Sequence, residues 1–259
     1  MGRVTLVDWA TSSWSYAYGC EKVDSTCLNC YMQERQAKIR KRMFPLGPYR
    51  CWVDFKHLMF PEPESWEDHR RIFVNEFSDT FISKMWYDQK TPANPEYVTE
   101  LAFAIYKRLP HHDWLNLTKR PENAKLFLET HNAPSNFWLG TSIGIKKGLH
   151  RIDVLRECDV KIRYLSLEAL LEDLGKLDLT GIHWMIVGGE SCTKGQLKMS
   201  QIARATNAPR PMNLEWVRSI RDQCIEQNVP FFLKQLGGYS AGNSLEDFPE
   251  DLRIREYPK

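Results

Sequence analysis

The chain has no apolar run close to the roughly 20 residues that span a bilayer, so no membrane-spanning helix is expected. It has little excess of either charge. A formal net charge of +2 predicts neither a general polyanion binder nor a membrane-surface protein, and leaves any nucleic-acid contact to a local patch. Met1-Gly2-Arg3-Val4-Thr5 runs straight into strand-like sequence without the apolar core of a signal peptide. Seven cysteines is an odd number without a small-secreted-domain pattern, which argues against a disulfide framework and for the cytosol. Internal repeats and linker-like composition are also missing, so one domain over 1–259 is expected. A length of 259 residues, with 42% hydrophobic and 26% charged residues, suits a single large globular α/β domain.

What is present is an alternation of strand-like and helix-like stretches. Val4 to Trp9, continuing through Trp14 to Tyr18, reads as one interrupted strand or two short ones. Further strands fit Cys51–Phe55, Arg71–Asn75, Trp114–Leu117, Phe137–Ser142, Ile162–Leu167, Ile182–Val187 and Val229–Gln235. Helices fit Tyr31–Met43, ended by Pro45 and Gly47, and Pro95–Leu109, where Tyr97, Leu101 and Ile105 form the expected buried stripe. A short helix follows Pro121. Another fits Asn213–Gln227, with Asn213 as N-cap and Leu214, Val217, Ile220 and Cys224 facing inward. Unbroken apolar strands separated by helices imply a parallel sheet covered on both faces. Eight such units imply a complete or nearly complete TIM-like (β/α) barrel, with 239–259 as a surface tail.

In a parallel barrel the site forms at the carboxyl ends of the strands. Those ends carry Asn75 and Ser78 with Asp79, then Lys119 and Arg120, Thr141 and Ser142, Ser166 and Glu168, Gly188, Gly189 and Glu190 with Ser191, and Lys234 with Gln235. Polar residues also mark any strand that meets solvent, but recurrence at six ends favours a site wall. Arg120 offers a bidentate fork for a carboxylate or phosphate, and Lys119 a point charge. Lys234 ends a very apolar strand, so it either points into the barrel mouth or pairs with Glu168 or Glu190. Gly188-Gly189 permits close backbone approach, and a tight turn explains the pair equally well. Arg35, Lys38, Arg40, Lys41, Arg42 and Arg50 make a basic run that is a solvated face or a track for a nucleic-acid backbone.

Directly after the first strand lies Gly19-Cys20, with Cys27-Leu28-Asn29-Cys30-Tyr31 completing a C-x6-C-x2-C pattern. A structural zinc needs four ligands, usually two close pairs. Here there is one pair, and Cys51 or His57 would have to supply the fourth ligand. Three cysteines alone suit a four-iron cluster with one iron left open. Radical S-adenosylmethionine (SAM) enzymes use that arrangement, with SAM on the open iron. Cys51, Cys158 and Cys224 read as ordinary buried thiols, and Cys192, beside the glycine turn, as a candidate radical relay.

These motifs resemble the phage-associated three-cysteine family, partners of the three-Cys-motif partner protein and divergent relatives of radical SAM enzymes. The resemblance runs from Asp8-Trp9 and Trp14 through the cysteine loop, Phe73-Val74-Asn75 and Leu117-Thr118-Lys119-Arg120-Pro121. It continues in Trp138-Leu139-Gly140, Leu165-Ser166-Leu167-Glu168, Val187-Gly188-Gly189-Glu190-Ser191 and Phe232-Leu233-Lys234-Gln235. It implies a [4Fe-4S] cluster on Cys20, Cys27 and Cys30, SAM across the barrel mouth, an electron donor, and a nucleobase or other nucleic-acid substrate in the host cytoplasm. Most radical SAM enzymes have C-x3-C-x2-C with an aromatic residue just before the third cysteine. Here the first gap is six residues and Tyr31 follows the third cysteine. The Gly-Gly-Glu that usually meets the SAM amine after strand two stands after strand seven. Two rivals remain at this stage: a zinc-stabilised DNA- or protein-binding module without catalysis, and a metal-free hydrolase using the Glu, Lys and Ser ring.

Overall fold

The computed structural model of the chain describes residues 7–30, 49–88, 90–191, 209–238 and 245–259. The strands are β1 (Ser12–Trp14), β2 (Ala17–Tyr18), β3 (Cys51–Val53), β4 (Arg71–Val74), β5 (Met85–Trp86), β6 (Pro92–Ala93), β7 (Asp113–Thr118), β8 (Phe137–Ser142), β9 (Ile162–Glu168), β10 (Trp184–Gly188) and β11 (Phe231–Gln235). The helices are α1 (Phe55–Met59), α2 (Pro95–Arg108), α3 (Pro121–Leu128), α4 (His150–Arg156) and α5 (Leu214–Glu226).

Seven strands form one parallel sheet in the order β1-β4-β7-β8-β9-β10-β11, curled into a half-barrel. Of the complete or nearly complete barrel expected from eight β/α units, the described residues form a partial, TIM-like half-barrel that is not closed. Cys51–Phe55 is not a barrel strand: its first three residues are β3, in a second sheet ordered β2-β3-β5-β6. The pair β2–β3 is antiparallel, a pairing that local apolar patterning does not encode. The first barrel strand is also shorter and later than Val4–Trp9. Val7, Trp9 and Ala10 instead pack onto the concave face of the sheet.

Alternation along the strands divides the core in two. Ile72, Val74, Trp114, Phe137, Leu139, Leu165, Leu167, Met185, Val187 and Leu233 face the helices. Phe73, Leu115, Trp138, Tyr164, Trp184, Ile186 and Phe232 face inward and close around Trp9. Trp9 meets Phe73 edge-on at 4.7 Å between ring centres. This aromatic plug fills the bottom of the half-barrel and leaves its carboxyl mouth open.

The helices start where the sequence provides for it. Asn94 and Asn213 cap α2 and α5 by accepting from Glu96 N and Glu215 N, and Pro95 and Pro121 occupy first-turn positions where a missing N–H costs nothing. Val217, Ile220 and Cys224 of α5 are buried as expected. The α2 stripe is displaced: Tyr97 is 48% exposed, and Val98, Ala102, Ile105 and Tyr106 make the packed face.

The C-terminal stretch is not a surface tail where it is described. Phe248 and Leu252 are fully buried, and Arg255 pairs antiparallel with Phe232 along the free edge of β11. Leu233 N donates to Ile254 O and Glu256 N to Phe231 O. Arg255 also reaches Asp8 at 2.9 Å, and the Arg71 guanidinium lies over the Tyr257 ring at 3.8 Å. The two chain ends thus bridge the gap that an eighth strand would fill. The expected helix at Tyr31–Met43, the basic run Arg35–Arg42 and Cys192 lie outside the described residues.

Candidate active site

A cavity of about 210 Å³ opens at the carboxyl mouth of the half-barrel, and Cys20, Cys27 and Cys30 all line it. Period-two side-chain direction carries the opposite wall. Lys119, Ser142, Ser166, Glu168, Glu190 and Lys234 continue the inward-facing parity of Leu117, Trp138, Tyr164, Ile186 and Phe232, and each lines the cavity. Ser78, Arg120 and Gly189 line it too. Register brings these groups level, since Ser142 pairs with Ser166 and Glu168 with Gly188.

Three predicted positions serve the framework instead. Asn75 is buried with φ 54°, and its Oδ1 accepts from Tyr16 N and Ala17 N, holding the bend between β1 and β2. Thr141 faces away from the cavity and donates to Thr118 O. Gly188 lies beside the Glu168 and Gln235 side chains without lining the cavity. A Cβ on Gly189 would stand 2.3 Å from Leu236 O, so this chain's own backbone makes the close approach that the glycine permits.

The cysteine loop is tied down from four directions. Gly19 takes φ +96°, and a Cβ there would stand 2.2 Å from Arg50 O. Its carbonyl accepts from Ser78 Oγ at 2.6 Å. Asp24 caps the turn Ser25–Cys27 through Thr26 N and also receives Arg151 Nη2 at 2.8 Å, while Arg151 Nη1 donates to Ser142 O. The Asp24 and Arg151 side chains are only 4% and 5% exposed. Asn29, inside the C-x2-C, donates to Glu190 Oε2 at 2.8 Å. Arg210 forks onto Glu190 and donates to Ser25 O at 2.8 Å. Arg120 donates to Glu21 O at 3.0 Å and to Asp79 Oδ2 at 2.9 Å, and Asp79 also accepts from Thr118 Oγ1 and Lys119 N.

These contacts set the charges. Burial pushes the Cys20 thiol far up and Asp79 adds to the rise, with the Arg120 guanidinium opposing both. Burial would also raise Glu190 and Asp24, but hydrogen bonds from Arg210 and Asn29, and from Thr26 and Arg151, bring both carboxyls below their ordinary values. Lys234 Nζ meets Glu168 Oε1 at 2.5 Å, the carboxylate pairing expected for a lysine at that strand end. Burial pushes Cys51 and Cys224 up to about 12 and Cys158 up to about 11, as for inert core thiols.

The three loop thiols are not gathered as a single ion would hold them. Among the described residues the three loop sulfurs do not all lie within 4.8 Å of one another. A tetrahedral zinc with bonds of about 2.3 Å brings its sulfurs to about 3.8 Å, so the loop is spread wider than one such ion requires. Neither Cys51, which faces Ser78 at 3.2 Å, nor His57, which meets Ser15 O, lines the cavity. Three residues that line the cavity each bury a polar atom without a partner among the described residues: Ser166 Oγ, Asn29 Oδ1 and Trp9 Nε1. The group Glu96, Glu100 and His131, whose ligand atoms do lie within 4.8 Å, is on the surface and outside the cavity.

Asp24, Arg151 and Arg210 escaped sequence reasoning as site-forming residues. Asp24 had a local signal, an acidic residue opening a short turn. Arg151 and Arg210 act across 127 and 185 residues of chain, and nothing in their neighbourhoods announces a partner.

A family model described as a protein of unknown function, DUF5131, matches residues 4–251. Neither the curated proteins nor the solved structures provide a match.

Proposed function

The chain belongs to the DUF5131 family, and we propose that it is a radical SAM-type iron–sulfur enzyme that cleaves SAM reductively and abstracts a substrate hydrogen, in nucleobase modification or repair. The observation that carries this reading is the meeting of three non-disulfide thiols in one cavity with polar groups from six strand ends. A cluster held by Cys20, Cys27 and Cys30 would supply the electron for reductive cleavage of SAM.

The chain's own residues then divide the remaining tasks. Cys20, Cys27 and Cys30 hold the cluster, and Arg120, fixed by Asp79, offsets the thiolate charge beside Cys20. Glu190 is committed to Asn29 and Arg210, so it is a positioning residue for the cysteine loop rather than a ligand for the SAM amine. Ser142 and Ser166 line the cavity between the cysteine loop and the Glu168–Lys234 pair, and the aromatic plug under them excludes water from the reacting region. The Glu168–Lys234 pair presents both charges at one edge, suited to the zwitterionic end of SAM. Electrons come from a separate donor, and a reducing, cytoplasmic setting keeps the thiols available. A three-Cys-motif partner protein belongs to the same proposal.

Anaerobically reconstituted protein, reduced chemically in the presence of SAM, is expected to release 5′-deoxyadenosine, and Cys27→Ala is expected to release none. A fully loaded wild type that leaves SAM intact ends this reading. Zinc in place of iron would move it to the binding-module alternative.

A further inference from the structure

Beside the cysteine cavity lies a second cleft, of about 400 Å³, lined by six basic residues: Lys22, Lys119, Arg120, Lys147, His150 and Arg151. Lys22, Val23, Lys119 and Arg120 line both spaces, so the two are continuous. Two carboxylates also line the cleft, and each is already answered. Asp24 takes Arg151, and Glu122 faces His150 at 3.4 Å. Arg120 is spent on Asp79. That leaves Lys22, Lys119 and Lys147, whose ammonium groups have no ion pair among the described residues. These three lysines line a recess whose inner end is the proposed reaction cavity, and Lys119 is near enough to Asp24 to favour its charged form. Lys22 also lies 5.5 Å over the ring of Tyr49, an aromatic that is 49% exposed. Cations that track phosphates beside an accessible aromatic are the elements of a single-strand binding groove.

We infer that this cleft is the phosphate-binding subsite for the substrate, holding the phosphate ester next to the base presented to the cysteine cavity. A polynucleotide backbone and a mononucleotide carry the same phosphate, and the experiment separates them. The identity of the reacting group rests on the radical-enzyme reading, whereas phosphate binding does not.

The test is fluorescence anisotropy of a short labelled single-stranded DNA on the full chain, titrated at several salt concentrations. Wild type is expected to bind with strong salt dependence. Lys147→Ala, an exposed position in the short turn Lys146–Gly148, should weaken binding about tenfold and reduce the log–log salt slope by about one. Tyr49→Ala should weaken it without changing the slope. Displacement by a deoxynucleoside monophosphate at matched phosphate concentration assigns the site to mononucleotides, and resistance to it assigns the site to strands. The melting temperature and far-UV circular dichroism of Lys147→Ala should equal those of wild type, which shows that the variant is folded. No salt-dependent binding by wild type, or equal binding by wild type and Lys147→Ala, overturns the inference. If binding follows the cleft while SAM stays intact, the phosphate site stands and the radical reading falls.

Discussion

Arg151 is the side chain on which the cysteine loop depends most. It reaches from α4 to a buried carboxylate on the loop and to the last carbonyl of β8. Breaking a buried pair leaves one charge uncompensated, at a cost of about 3–5 kcal/mol. Arg151→Met is therefore expected to lower the urea midpoint by that equivalent and to reduce iron uptake, with the β-sheet spectrum retained. Asp24 and Glu190 make the same argument through pH. Both are held below the ordinary carboxylate range in the folded chain. A depressed folded value means that their stabilisation is complete above the unfolded value of about 4 and is lost as pH falls toward the folded value. Chemical denaturation between neutral pH and pH 3 should show that decline in wild type and a shallower one in Asp24→Asn and Glu190→Gln. An unchanged acid limb in both variants would remove these pairs from the account. Lys119, Glu168, Glu190 and Lys234 were legible in the sequence because strand parity and strand ends are local properties. The commitment of Glu190 to Asn29 and Arg210 was not, because it joins segments far apart in the chain.

Among the elements, six of the seven parallel strands were the most readable, since they are apolar runs ended by polar residues, whereas β1 has only three residues. The second sheet was not readable, because β2, β5 and β6 have two residues each, too short for any period to register. That sheet matters because β2 ends where the cysteine loop begins. Gly19 makes the turn with a backbone conformation that strains other residues by about 1–3 kcal/mol, and the Arg50 carbonyl on the neighbouring β3 side occupies the space of a side chain. Gly19→Ala should lower the melting temperature and impair cluster loading together. A variant that loads iron normally would mean that the loop is not positioned by this turn. On α2, Ile105 is buried and Leu101 packs on the core as expected, and the exposure of Tyr97 has a simpler cause. Tyr97, Leu101 and Ile105 keep a strict i, i+4 spacing that drifts around a helix of 3.6 residues per turn, whereas the packed face alternates threes and fours.

At the scale of the molecule, counting β/α units led to a complete or nearly complete barrel, whereas the described residues form a half-barrel of seven parallel strands. The opening is bridged by the segment around Asp8 and by 253–257, through contacts such as Arg255–Asp8 that no composition argument could place. The stretch from Tyr239 is rich in charge, which is why it reads as a tail, yet Phe248 and Leu252 anchor its described part. Leu252→Ala should cost about 2–5 kcal/mol, as for other buried leucines. A true tail would lose nothing, and thermal unfolding distinguishes the two.

The central claim is that Cys20, Cys27 and Cys30, and no other described cysteine, hold an iron–sulfur cluster at the mouth of this half-barrel. The direct measurement is iron and acid-labile sulfide per chain after anaerobic reconstitution, in wild type and in single Cys→Ala variants. The account predicts about four of each in wild type, a sharp loss in the variants at Cys20, Cys27 and Cys30, and retention in those at Cys51, Cys158 and Cys224. Zinc without sulfide, or equal loading after replacement of any loop cysteine, would contradict it.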